Sequence, residues 1–261
     1  MQTVLVGDDG SDAAAGAVEW ARSFADERGL KLIGVHVTTS AQRDARPDDG
    51  IERILLRDRY PAAAIMEVAA DLDADLIVLG RRGAGGFPSL PIGTTAHQVA
   101  GSCGRPVAVI PPDRRRFGKP LVQRVTIGLD RLGGAEAALL WSARAFRDAT
   151  FDVVHALDLA PTFAQFEADH TAEYERAFKW AVALMHDQWC EPLVEAGIPY
   201  EAVVQEGGPA EILLGTAKDT TADAIVVGRR DHGPLSGTLG GVSQRVLAHA
   251  SCAALIVPPQ Q

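Results

Sequence analysis

Residues 76–110 read LIVLGRRGAGGFPSLPIGTTAHQVAGSCGRPVAVI, and this stretch carries both a fold signal and a chemical one. Leu76, Ile77, Val78 and Leu79 form a short apolar run that ends at Gly80, as a buried strand does. A glycine-rich loop follows, with Gly80, Gly83, Gly85, Gly86 and Gly93. Residues 96–101 then read as helix, and Pro106 to Ile110 as a second strand. Glycines let a backbone approach an anion closely. A helix start offers unpaired N–H groups and the positive end of a dipole. Strand, glycine loop, hydroxyl residues Thr94 and Thr95 and helix together have the physics of a phosphate cradle. The alternative is a structural loop with a threonine N-cap.

Outward from this unit the chain repeats itself. Val4 to Asp9 (VLVGDD) is echoed by Val125 to Asp130 (VTIGLD), and residues 74–82 (ADLIVLGRR) by residues 222–230 (ADAIVVGRR). An Ala-rich helical pattern follows each first strand: Ala13, Ala17, Trp20 and Phe24 in one copy, Ala137, Leu140, Trp141 and Phe146 in the other. His36 and His155 recur near the end of the next strand. Cys103 and Cys252 recur before the last one. The prediction is two tandem domains, 1–112 and 123–261, joined by a proline-bearing basic linker. Alternating apolar strands and helices predict α/β domains built on parallel sheets covered on both faces.

The spacing of Gly80, Gly83, Gly93 and Thr94, G-x2-G-x9-G-T, resembles the nucleotide-binding signature of the universal stress protein family. Val6 to Ser11 (VGDDGS) resembles that family's first-strand motif. The resemblance spans essentially the whole chain. It implies two doubly wound domains, each with a five-stranded parallel sheet in the order 3-2-1-4-5, whose fifth strands pair within the chain as an intramolecular pseudo-dimer. It also implies a ligand beyond strands 1 and 4, at the switch point of the sheet. That ligand is ATP, with Mg²⁺ as a possible companion, or cyclic AMP in its place. Asp9 then lies against the nucleotide. Gly10 and Ser11 complete the turn there, or Ser11 only caps the helix. Val37 walls the adenine, Gly80, Gly83, Gly93, Thr94 and Thr95 cradle phosphate, and Arg82 neutralises it.

Three departures qualify this. Asp8 replaces an apolar residue and repels a triphosphate. The first copy is 27 residues shorter than the second between its Asp and its cradle (Asp9 to Gly80 against Asp130 to Gly228). It therefore lacks the second helix that residues 171–197 supply in the other copy, and its exposed sheet face needs a cover: the partner domain, a second subunit or that long helix. The second copy is worn. Asp130, Gly228, Gly240 and Ser243 outline a weak second site, but Asp231 intrudes in its loop, and either Gly240 or Gly241 serves as its third glycine.

A net charge of −9 gives no basic footprint for nucleic acid and no polybasic membrane anchor. Three scattered cysteines make neither a disulfide framework nor a zinc site. The chain enters a strand from Met1, with no room for a signal peptide, so a reduced cytoplasm is expected. No hydrolase, zinc-protease or P-loop motif is present, and no catalytic base or metal site is identifiable. The resemblance thus implies an adenine-nucleotide-binding stress-response sensor acting on an unidentified protein partner, with slow ATP hydrolysis at most. Its rival is a degenerate interaction or scaffold module without nucleotide. A homodimer of the whole chain stays open.

Overall fold

The computed structural model describes residues 1–38, 49–83, 90–112, 121–130, 134–157, 170–229 and 239–259. Expectations about residues 39–48, Gly85, Gly86, linker residues 113–120 and the loop bearing Asp231 lie outside them. The first half runs β1 (Thr3–Gly7), α1 (Asp12–Arg28), β2 (Lys31–Thr38), β3 (Glu52–Arg57), α2 (Pro61–Asp71), β4 (Leu76–Gly80), α3 (Thr94–Ser102) and β5 (Val107–Ile110). The second runs β6 (Arg124–Gly128), α4 (Gly134–Ala145), β7 (Thr150–Leu157), α5 (His170–Leu184), α6 (Glu191–Glu195), β8 (Tyr200–Glu206), α7 (Pro209–Asp219), β9 (Ala224–Gly228), α8 (Gly241–His249) and β10 (Ala253–Val257).

All ten strands form one sheet, in the order β3-β2-β1-β4-β5-β10-β9-β6-β7-β8. Each half has the expected order 3-2-1-4-5 with parallel neighbours. Among the described residues the one antiparallel junction is β5 on β10, with Ala108 opposite Leu255. Side chains alternate across the sheet, so two apolar layers form, each running through both halves. One holds Val4, Val6, Trp20 and Phe24 of the first half together with Phe146, Met185 and Leu193 of the second. The other holds Ile65 and Val99 with Leu213 and Val246. Helices α1, α4 and α6 contribute to the first layer, and α2, α3, α7 and α8 to the second.

Local signals set the helix ends. Ser11 Oγ accepts the Ala14 N–H at 3.1 Å as the N-cap of α1. Gly29, at φ 62°, closes that helix in the left-handed region that favours glycine. The halves meet along α1, where Phe24 stacks on Trp20 (5.1 Å) and meets Phe146 edge-on (5.9 Å). The Arg28 guanidinium lies 4.0 Å from the Phe24 ring centre, and its Nε–H donates to the Ala145 carbonyl at 2.8 Å.

The long helix of the second half is interrupted, where the sequence predicted one continuous segment. Residues Met185–Trp189 form a π turn between α5 and α6, sealed by the Cys190 N–H on the Met185 carbonyl at 2.9 Å. The extra residue in that turn shifts the buried stripe by one position. After Ala181 and Met185 it is Cys190, not Trp189, that reaches the core. Trp189 packs instead against the His155 ring, centroids 4.9 Å apart.

On the face of the first half expected to lack a helix, a side chain from the sheet itself provides cover. Gly34 on β2 pairs with Arg53 on β3, and a Cβ on Gly34 would lie 2.8 Å from Arg53 Cγ. The arginine stem therefore crosses the glycine, and only 9% of the side chain is exposed. Further out on this face Leu55 stays 63% exposed. Among the described residues, Arg53 thus covers the Gly34 position, and the edge of this face at Leu55 stays exposed.

Candidate functional site

Beyond the carboxyl ends of β1 and β4 lies a cavity of about 280 Å³. Its lining includes Asp9, Val37, Gly80, Arg82, Gly83, Gly93, Thr94 and Thr95, eight of the ten residues singled out from sequence. Gly10 and Ser11 are not in the lining. Gly10 takes φ 79°, a conformation suited to glycine, and donates its N–H to Asp8 Oδ1 at 3.1 Å. Ser11 caps α1. Asp9 Oδ1 accepts the Ser11 N–H at 3.0 Å, which fixes the turn.

The glycines are placed by contact. The Gly93 N–H donates to the Arg81 carbonyl at 2.8 Å, and a Cβ there would meet the same oxygen at 3.3 Å and Arg82 Cα at 3.4 Å. A Cβ on Gly83 would come within 2.3 Å of Asp9 Oδ2. Gly93 is also the N-cap of α3, and among the described residues no side chain caps that helix. Its first N–H groups and its dipole therefore face the cavity that Thr94, Thr95 and Arg82 line. This arrangement fits an anion of phosphate type. The opposite wall is apolar, with Val35, Val37, Ile65, Leu79 and Pro61, and suits a flat ring. Among the described residues no cluster of His, Cys, Asp or Glu could hold a metal ion by itself. A divalent cation here would take its ligands from Asp9 and the phosphate oxygens.

Asp8 does not act as predicted. Its Oδ2 accepts the Arg53 Nε–H at 3.1 Å, and both side chains are 9% exposed. Arg53 in turn grips Asp49 through Nη1 (2.6 Å) and Nη2 (2.8 Å). The repulsion expected from Asp8 is thus neutralised by a cation brought from β3. This contact holds Asp49 far below the ordinary carboxylate range and raises Arg53 further. The strand registers place Leu129, Val153 and Ala202 at the positions of Asp8, Gly34 and Arg53. One half fills this spot with an ion pair over a glycine, the other with three apolar side chains.

The second cavity, about 120 Å³, is lined by Asp130, Gly228, Gly240 and Ser243, all four of the weak-site candidates. Gly240 is the N-cap of α8, as Gly93 is of α3, so Gly240 and not Gly241 is the third cradle glycine. Gly241 and Val242 then stand where Thr94 and Thr95 do. Ser243 falls at the position of Ala96 and is 5% exposed. This cradle has lost both leading hydroxyls.

Sequence reasoning missed the α2 wall, Pro61 and Ile65, matched by Pro209 and Leu213 in the second cavity. The signal was present, since both pairs keep the same offset as Gly80 and Gly228. His36 and His155 behave as a structural pair. The Nδ1–H of each donates to the carbonyl just past the first strand of its half, Asp8 at 2.6 Å and Leu129 at 3.0 Å. Arg81 and Arg229, flanking the cradles in sequence, point away from them across the junction of the halves. His97 is not in the cavity lining.

A model of the universal stress protein family matches residues 1–53, 39–111 and 122–258. A universal stress protein of Mycobacterium tuberculosis is 26% identical over 293 residues, covering 98% of this chain and 97% of its own. The crystal structure of a universal stress protein from Archaeoglobus fulgidus superposes with a TM-score of 0.67 at 15% identity, covering 99% of this chain and 97% of that one. Two shorter solved proteins align with about half of the chain. One is a universal stress protein family protein of Arabidopsis thaliana with AMP bound (17% identity, 53% of this chain and 92% of that one, TM-score 0.36). The other is a universal stress protein in complex with cAMP (25% identity, 42% of this chain and 96% of that one, TM-score 0.34). With the family model matched over both halves, and relatives of the same tandem length, the chain belongs to the universal stress protein family.

Proposed function

We propose that the first half binds an adenine nucleotide, ATP in the first instance and cyclic AMP as the competing ligand, and that occupancy regulates contact with a protein partner in a stress response. One observation carries this reading: a single cavity at the sheet's switch point joins an apolar wall (Val35, Val37, Ile65) to an uncapped helix start flanked by Gly83, Thr94, Thr95 and Arg82. The wall suits a purine, and the helix start suits its phosphates. The groups around the cradle hold charge and shape, so the activity proposed is recognition rather than catalysis. In the second half, Gly241 and Val242 at the helix start favour a structural role with weak or no nucleotide binding.

Calorimetric titration of Mg²⁺–ATP, and separately of cyclic AMP, into wild type and Gly83→Asp tests this. An aspartate side chain at 83 would be driven onto Asp9 Oδ2 and would put a second negative charge in the cradle. Binding near one site per chain in wild type, lost in the variant, is the expected result. Absence of binding at millimolar ligand would leave the protein-contact module as the function. Binding retained in the variant would move the site to the other half.

A further inference from the structure

Each half grips the cradle helix of the other. Arg229 follows Gly228 at the end of β9 and is anchored by its own N–H on the Val257 carbonyl at 2.7 Å. Its Nη1 donates across the junction to the Cys103 carbonyl at 2.6 Å and the Ala100 carbonyl at 3.4 Å. Those carbonyls end α3, the helix whose other end forms the phosphate side of the first cavity. The mirror arrangement holds for Arg81, which follows Gly80. Its Nη1 donates to the Ala248 carbonyl at 3.3 Å, and its Nη2 donates to the Ala250 carbonyl, at the end of α8. Arg81 also accepts the Gly93 N–H on its own carbonyl, so it touches the first cradle through its backbone and the second helix through its side chain.

A guanidinium at a helix C-terminus satisfies carbonyls that have no partner within the helix and complements the dipole. Here the donor comes from the opposite half, and it is fixed to a strand end that itself borders a cradle. We propose that Arg229 is a positioning residue for the first ligand site: it holds α3 along its axis so that Gly93, Thr94 and Thr95 meet the phosphates. Arg81 does the same for α8, and the two cradles are thereby linked. This rests on the first cavity being the nucleotide site.

The test compares Arg229→Gln, Arg229→Lys and Arg105→Gln with wild type. Arg105 lies at the same end of α3 but only pairs with exposed Asp73 (2.6 Å), so it controls for general loosening there. Hydrogen exchange of α3 is measured without ligand, and Mg²⁺–ATP affinity by titration. Arg229→Gln should speed exchange in α3 but not in α2, and should weaken ATP by roughly three- to thirtyfold. Arg229→Lys, keeping the charge without the fork, should fall between, and Arg105→Gln should match wild type. Unchanged α3 exchange, or unchanged affinity in a folded Arg229→Gln chain, overturns the proposal. If wild type binds no nucleotide, the reading of the first cavity fails, and α3 exchange alone then upholds or overturns the clamp.

Discussion

Replacing Arg53 with glutamine removes the cation that neutralises Asp8. The variant leaves a carboxylate that is 9% exposed with neither the Nε donor nor the compensating charge. Breaking one side of a buried ion pair costs about 3–5 kcal/mol. The Asp49 arm adds a smaller share, because that side chain is 23% exposed and partly screened, and it keeps its contact with Arg22. The expected loss is therefore about 3 kcal/mol, or about 6 °C in melting temperature for a chain of this size. Urea unfolding followed by circular dichroism measures it. The second half supplies an internal control, since Leu129 occupies the position of Asp8. Asp8→Leu combined with Arg53→Leu should recover at least half of the loss, as apolar pairs replacing buried ion pairs do. A single-variant loss below about 1 kcal/mol, or a double variant no better than Arg53→Gln, would refute the reasoning.

Two further outcomes follow from the same geometry. Asp49 is held below its ordinary carboxylate value by Arg53, so its folded form favours the charged state. Its stabilising effect is full above the unfolded value of about 3.9 and drains as pH falls below that. The urea midpoint should drop more steeply in acid for wild type than for Asp49→Asn, and parallel curves would contradict the assignment. Phe24→Ala empties a fully buried site between Trp20 and Phe146 and should cost about 3–5 kcal/mol. Its unfolding should loosen both halves together, and a second half melting as in wild type would show that the aromatic seam does not couple them.

The repeat and the cradle spacing were legible because they depend on local periodicity and on glycines at fixed offsets. The strand order and the pairing of the two fifth strands came from the resemblance to the family. What escaped depends on contacts distant in sequence. Asp8 finds its cation 45 positions later, on β3, two strands away across β2, so its charge alone suggested repulsion. Arg81 and Arg82 are adjacent and chemically alike, yet alternation sends one across the junction and leaves the other at the cavity. The choice between Gly240 and Gly241 was undecidable by spacing and was settled by where α8 begins.

The antiparallel junction of β5 with β10 does more than close the sheet. In a dimer of identical chains every substitution is made twice, so a change that spoils one pocket spoils its twin and both are purged or kept together. Joining the two copies in one polypeptide frees them from that constraint. Thr94 and Thr95 persist at one helix start while Gly241 and Val242 stand at the other, and the β5–β10 pairing holds regardless. The opposed strand directions also turn the two pockets to opposite ends of the sheet. Each end of the sheet thus carries its own helix start, within a pair whose association no dilution can undo.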